Sequence, residues 1–296
     1  MLKVSILMMV YNHASFLTEA IESVLLQEGI TDWELVIGND ASTDDSKDIL
    51  QEFALRDERI RVFNHPENIG LHRNYAFLTE QCQGKYIALL EGDDYWIDKE
   101  KLVRQYQWME SHPNAAWCFT WGYEVDETGN RLKVHKYSLS EEMSLSVFLA
   151  SGVNPLNNSV FFRKELDPKP LPPFFFKVIQ WDFVLNCLRC SKGHTLGYLD
   201  RPTVHWRRHS RAYSLQSQVE LRRYHSMLLS FQELRKRVHP SLKRHFNPLS
   251  AYYYLCGHYA RQKNVMHTIW YAFRAFPGGH CRDLFYFVRQ SFGTTK

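Results

Sequence analysis

Three carboxylates stand within four positions at Glu91-Gly92-Asp93-Asp94. The apolar run Tyr86-Ile87-Ala88-Leu89-Leu90 precedes them and Tyr95-Trp96 follows. Acids this close repel one another unless a positive charge joins them. A hard divalent cation with oxygen ligands, Mg²⁺ or Mn²⁺, meets that need and commonly holds substrate phosphates too. The competing reading is a solvated acidic turn that caps the helix from Asp98. Two further polar breaks follow apolar runs in the same way: Tyr11-Asn12-His13, and Asn39-Asp40-Ala41-Ser42-Thr43-Asp44-Asp45.

A scaffold must bring these breaks together. Lys3 to Val10 reads as a buried strand, and Phe16, Ala20, Ile21, Val24 and Leu25 recur at helical spacing from about Ser15. Trp33 to Gly38 is a second strand, with a helix from Ser46 to Arg56 behind it. Ile60 to Phe63 is a third strand, and a helix carrying Arg73, Asn74 and Phe77 runs on towards Gly84. The run at Tyr86 is the fourth strand. Continuous apolar runs suit strands buried on both faces of a parallel sheet, and strands alternating with helices predict a doubly wound α/β fold. Right-handed crossovers put the carboxyl ends of its strands on one edge, where such sheets bind ligands. The three breaks therefore converge. Neither G-x-G-x-x-G nor G-x-x-x-x-G-K-[ST] occurs, which argues against dinucleotide dehydrogenases and P-loop proteins. Phosphates must be held mainly by the cation and basic side chains.

Downstream, a helix from Lys99 to about Ser111 leads to a long strand, Ala115 to Val125. A turn at Asp126 to Asn130 gives Arg131 to Tyr137 as its hairpin partner. Ser144 to Ala150 is a short helix, and Asn157 to Phe162 another strand. The proline-rich segment Asp167 to Pro173 can be neither helix nor central strand. Trp181-Asp182 opens a helix. Leu196 to Leu199 and Thr203 to Trp206 are short strands before Arg207-Arg208-His209-Ser210. Of the six cysteines only Cys187 and Cys190 are close. With no second pair to complete a zinc site, they read as buried thiols.

Charge is unevenly placed. Residues 1–200 carry 19 Lys/Arg against 29 Asp/Glu, and residues 201–296 carry 17 against 3. From Leu221 the chain reads as basic helix, with aromatic clusters at Tyr252-Tyr253-Tyr254, Trp270-Tyr271 and Phe285-Tyr286-Phe287. Such a tail suits an anionic membrane interface, or a helical subdomain with its aromatics packed inside. No nucleic-acid module is evident, so no nucleic-acid partner is expected. No apolar run approaches the roughly 20 residues of a membrane span, and no cleavage-site pattern precedes the first strand. The expected location is the cytoplasm, peripheral on the inner face of the cell membrane.

Val4 to Asn12, Asn39 to Asp44 and Glu91 to Trp96 occur in the order and at the distances that resemble the family 2 inverting glycosyltransferases, over roughly residues 3–210. The resemblance implies a Rossmann-like type A glycosyltransferase fold with a mixed, mainly parallel central sheet, plus the basic helical extension. It implies a catalytic domain at residues 1–215, with a nucleotide-binding half (1–98) and an acceptor half (99–215), and a tail at 216–296. Tyr11 and Asp40 would contact nucleobase and ribose, with Asn12 shaping the turn. Glu91-Gly92-Asp93 matches the Asp-x-Asp metal motif with glutamate in the first place, and Asp93 would hold Mn²⁺ or Mg²⁺. Asp94 and Trp96 would face sugar and acceptor. Asp182 would be the general base, and Arg207 and His209 would bind diphosphate or metal. Plainer readings stand beside these: Asp182 as a helix cap, Asp40 as a turn former, Trp96 as core, His209 as a surface histidine.

The chemistry fits these types. Inverting transfer needs one carboxylate to take the acceptor hydroxyl's proton and a cation to meet the charge of the leaving diphosphate. The expected function is metal-dependent transfer from a nucleotide-diphosphate sugar, UDP-linked first, to a glycan or lipid-linked acceptor of a bacterial surface polysaccharide or lipopolysaccharide. The alternative is a non-catalytic nucleotide-sugar sensor or assembly scaffold.

Overall fold

The computed structural model describes residues 2–210 and 219–246. Strands β1 (Val4–Val10), β2 (Trp33–Asn39), β3 (Ile60–Asn64) and β4 (Tyr86–Glu91) alternate with helices α1 (Ala14–Leu25), α2 (Ser46–Arg56) and α3 (Leu71–Gln81). The strands form the parallel half of one sheet in the order β3-β2-β1-β4, with Val4 opposite both Trp33 and Tyr86. Every residue of β1 and β2 is buried, which is why their sequences do not alternate. Within β2, Glu34 is satisfied by Ser5 Oγ and by Arg61, each at 2.6 Å. Helix α1 buries Leu17, Ala20, Ile21 and Val24 along one face, the spacing of an amphipathic helix on a sheet.

The second half of the sheet is mixed. Its elements are β5 (Tyr95–Trp96), α4 (Lys101–Ser111), β6 (Ala115–Val125), β7 (Arg131–Val134), β8 (Glu142–Ser144), α5 (Leu145–Ser151), β9 (Phe161–Arg163), α6 (Trp181–Arg189) and β10 (Thr195–Arg207). The order continues from β4 through β9, β6 and β10 to β5. β9 runs antiparallel to both β4 and β6, while β10 runs parallel to β6. Two sequence expectations need correction here. Asn157 to Ser159 is a 3₁₀ turn and only Phe161–Arg163 is strand. The asparagine side chains bond to Glu91 and Asp94, drawing the backbone out of the ladder. The two short strands expected after Leu196 are one strand, irregular in register around Pro202, which has no N–H to give the ladder. That length matters. Trp96 lies opposite Val204 and Tyr95 opposite His205, so the end of β10 arrives where β4 stops.

Contacts group the described chain into two units, Met1–Leu171 with Leu185–Ser210, and Pro172–Val184 with the described residues after Ser210. In the second, α7 (Val219–Arg237) precedes a 3₁₀ segment, Pro240–Phe246. Ser226 Oγ accepts from Ile179 N at 2.6 Å and donates to Gln180 Oε1 at 2.7 Å. Phe231 lies against Phe183 and Phe246, and the basic last turn of α7 puts Arg237 over Phe174. The expected tail boundary at 215/216 and the aromatic clusters from Tyr252 onward lie outside the described residues. Among the described residues no helix is long and apolar enough to cross a membrane. Cys187 and Cys190 are buried free thiols, and Trp117 Nε1 points to Cys190 Sγ at 3.1 Å.

Candidate active site

The loops after β1 and β2 are built as one piece. Asn12 Oδ1 accepts from Thr43 N at 2.7 Å, and Asn12 N donates to Ser42 Oγ at 2.9 Å. Ser46 Oγ and Asp44 Oδ2 accept from His13 N and Ala14 N, at 3.1 and 3.0 Å. The polar run after β2 thus caps α1, whose own N-cap side chain makes no such bond. Asn12 and Ala41 both sit at φ 56°. Asparagine tolerates this left-handed region. Alanine does so at a cost that its surroundings must hold.

Tyr11 is 46% exposed at the end of β1, open to a ligand. Asp40 is not. Its carboxylate is buried and accepts from Ile69 N at 2.7 Å and Gly70 N at 2.9 Å. It braces the start of α3, whose first residues have N–H groups to place.

Glu91, Asp93 and Asp94 offer carboxylate oxygens within 4.8 Å of one another. Glu91 Oε1 accepts from Asn157 Nδ2 at 3.1 Å. Asp94 is buried, accepting from Arg207 N at 2.8 Å and Asn158 Nδ2 at 3.0 Å. It is turned inward, where sequence reasoning had it facing sugar and acceptor. Trp96 is likewise corrected: buried in the core cluster, it donates from Nε1 to Asn158 O at 3.1 Å. Burial and the charges of Asp93 and Glu91 hold the Asp94 carboxyl well above its usual range. Burial opposes the charge of Asp93 as well, but His13 and His209 outweigh it and hold Asp93 low.

His209 Nε2 lies 3.0 Å from Asp93 Oδ2, joining the two residues expected to share a cation. His13 Nε2 is 3.8 Å from the same oxygen and was not foreseen. Gly92 leaves its room: a Cβ there would sit 2.9 Å from His13 Nδ1 and from Val10 Cγ2. Arg207 corrects another expectation. Its side chain is 2% exposed, pairs with Glu19, and donates from Nη1 to Asp93 O at 2.7 Å. These contacts leave it facing protein where a diphosphate was expected. Asp182 is half-buried in the first turn of α6, on the segment grouped with the second unit.

The sequence places His13 in a converging polar break without a role for it, and gives no role to Glu19, Asn157 or Asn158. The one available signal was an Asn-Asn pair between apolar residues, which fits a strand poorly.

The donor set fits a hard divalent cation: three crowded carboxylates with an imidazole on one of them, and negative charge in excess of the arginine that Glu19 already shares.

The family described as Glycosyl transferase family 2 matches residues 5–174. The putative teichuronic acid biosynthesis glycosyltransferase TuaG of Bacillus subtilis is 40% identical over 124 residues, covering 41% of this chain and 47% of that protein. S. aureus TarS 1-349 in complex with UDP-GlcNAc superposes with a TM-score of 0.64 at 17% identity, covering 98% of this chain and 88% of that one. The mannosyltransferase PcManGT of Pyrobaculum calidifontis, in complex with GDP-Man and Mn²⁺, gives 0.58 at 14% identity, covering 99% and 81%. Family match, mixed α/β sheet and acidic edge agree: the chain belongs to glycosyl transferase family 2 and is a glycosyltransferase of the type A fold.

Proposed function

We propose that the chain transfers a sugar, with inversion, from a nucleoside-diphosphate donor to a hydroxyl of a glycan or lipid-linked acceptor in cell-surface polysaccharide assembly. The observation that carries this reading is the crowding of three carboxylates, the partly buried Glu91 and Asp93 and the buried Asp94, on the carboxyl edge of the sheet. Asp93 and His209, with Glu91 beside them, would hold Mn²⁺ or Mg²⁺. When bound, the cation supplies Lewis-acid stabilisation of the leaving diphosphate. Tyr11, exposed at the end of β1, offers a ring for the base of the nucleotide. Asp94 braces the floor by fixing Arg207 N and Asn158.

Asp182 takes the proton of the acceptor hydroxyl as that oxygen attacks the anomeric carbon. The new C–O bond forms opposite the breaking bond to the diphosphate. A uridine donor and an acceptor class like that of the named relatives are supported by TarS with UDP-GlcNAc and by TuaG. The basic last turn of α7, with Arg235, Lys236 and Arg237, supports peripheral contact with anionic lipid.

The test is a panel of UDP-, GDP- and TDP-sugars with a mixed lipid-linked acceptor, reading nucleotide release and product anomer by NMR. Release from one donor class with an inverted anomer is expected. A retained anomer would refute inversion, and binding without turnover would return the sensor reading.

A further inference from the structure

We propose that the His13–Phe16–Glu19 face of α1 is the positioning element of the cation site, acting through Arg207 and His209. The inference rests on reading Glu91 to Asp94 as that site. Residues three apart on a helix share one face, and here His13, which caps α1, and Phe16 and Glu19 within it meet Arg207 or His209 at and just past the end of β10. Glu19, 53% exposed, pairs with the Arg207 guanidinium. That guanidinium is held between the ring of Phe16, at 4.6 Å, and the ring of Tyr95, at 4.8 Å. Its Nη1 fixes Asp93 O at 2.7 Å. Two residues on, the His209 ring lies 5.0 Å from Phe16 and 6.4 Å from His13. His209 Nε2 reaches Asp93 at 3.0 Å.

The guanidinium therefore touches the motif from behind. Its Nε is buried and has no hydrogen-bond partner among the described residues, and both terminal nitrogens are taken by protein. A planar cation in contact with two rings and paired at one end has little freedom left. It fixes the last residues of β10, and with them the distance of His209 from Asp93. Arg207 is a positioning residue, and Glu19 sets its place from the surface.

The experiment is a Mn²⁺ titration followed by the EPR signal of the free ion, without nucleotide, on wild type, Glu19→Gln, Arg207→Lys and Asp93→Ala. Glu19 is half-exposed, so Glu19→Gln is expected to fold; its melting curve checks this. It should bind Mn²⁺ about tenfold more weakly, the usual cost of losing a group that orients a ligand. Arg207→Lys should lose at least as much, because lysine cannot reproduce the fork. If it does not fold, Glu19→Gln decides alone. Wild-type Mn²⁺ affinity in Glu19→Gln, with binding lost in Asp93→Ala, would overturn the proposal and leave the cation reading standing. If Asp93→Ala binds Mn²⁺ like wild type, the cation reading fails and the positioning proposal with it.

Discussion

Asp167 with Arg189, fully buried, and the partly buried Glu91 to Asp94 are satisfied to different degrees. At Asp167 the account closes. Arg189 donates to Asp167 Oδ1 from Nε at 2.9 Å and Nη2 at 2.7 Å, while Tyr75 donates to Oδ2 at 3.0 Å. The remaining Arg189 nitrogen meets Asn186 Oδ1 at 2.6 Å, and the guanidinium lies 3.5 Å above the ring of Phe162. One cation faces one anion, and their side chains are 1% and 2% exposed. Around Glu91 to Asp94 polar atoms of the neighbouring residues are left over. Three carboxylates crowd together, and Asn157 Oδ1, Asn158 Oδ1 and His13 Nδ1 are buried without hydrogen-bond partners among the described residues. A buried pair complete in itself is architecture. Surplus charge and unpaired atoms are capacity for a ligand.

The contrast can be broken at either end. Asp167→Ala leaves Arg189 buried and unpaired, and should cost about 3–5 kcal/mol of stability by urea unfolding. Donor binding per folded molecule should stay at the wild-type level. A loss below about 1 kcal/mol would mean the cluster is not the closed pair described. Asp182→Asn should leave donor binding intact and lower kcat about a hundredfold, near 2.7 kcal/mol in the barrier. Near-normal transfer would leave Asp182 with a capping role only.

Lys101 is an intermediate case. It is wholly buried, with Nζ 2.6 Å from Gln105 Oε1 and 4.3 Å from the ring of Trp96. Burial pushes its ammonium down to about 7. The unfolded chain then binds this proton more tightly, so stability rises with pH between about 7 and 10. From pH 7 to 9, wild type should gain roughly 2 kcal/mol relative to Lys101→Met in unfolding free energy. Parallel pH profiles would show that Lys101 keeps its ordinary affinity for protons. The smallest effect should have the opposite sign to that of Asp167→Ala. Glu91→Gln removes a like charge and should stabilise the cation-free protein by about 1 kcal/mol while weakening Mn²⁺ binding. Destabilisation in the absence of cation would mean that Glu91 already has a full counter-charge.

The parallel half of the fold was legible because β1, β2 and β4, buried on both faces, are mostly apolar and their ends are polar. The acidic edge was legible for the same reason. What residue type does not carry is side-chain direction. Asp40 suits a nucleotide contact or the N–H groups of Ile69 and Gly70 equally well, and the fold uses the second. Trp96 was readable in principle. In a two-residue strand successive side chains point to opposite faces, so Trp96 shares the inward face of Asp94 and Tyr95 takes the other. Glu19 was beyond reach, because its partner stands 188 residues away.

A cation held at Asp93 is tested by the thermal shift of wild type and Asp93→Ala with UDP, with and without Mn²⁺. A ligand confined to the folded state at a hundredfold excess over Kd adds about 2.7 kcal/mol. A Mn²⁺-dependent shift with UDP is expected in wild type and none in Asp93→Ala. An equal shift in both proteins, or one indifferent to Mn²⁺, would contradict a cation held at Asp93.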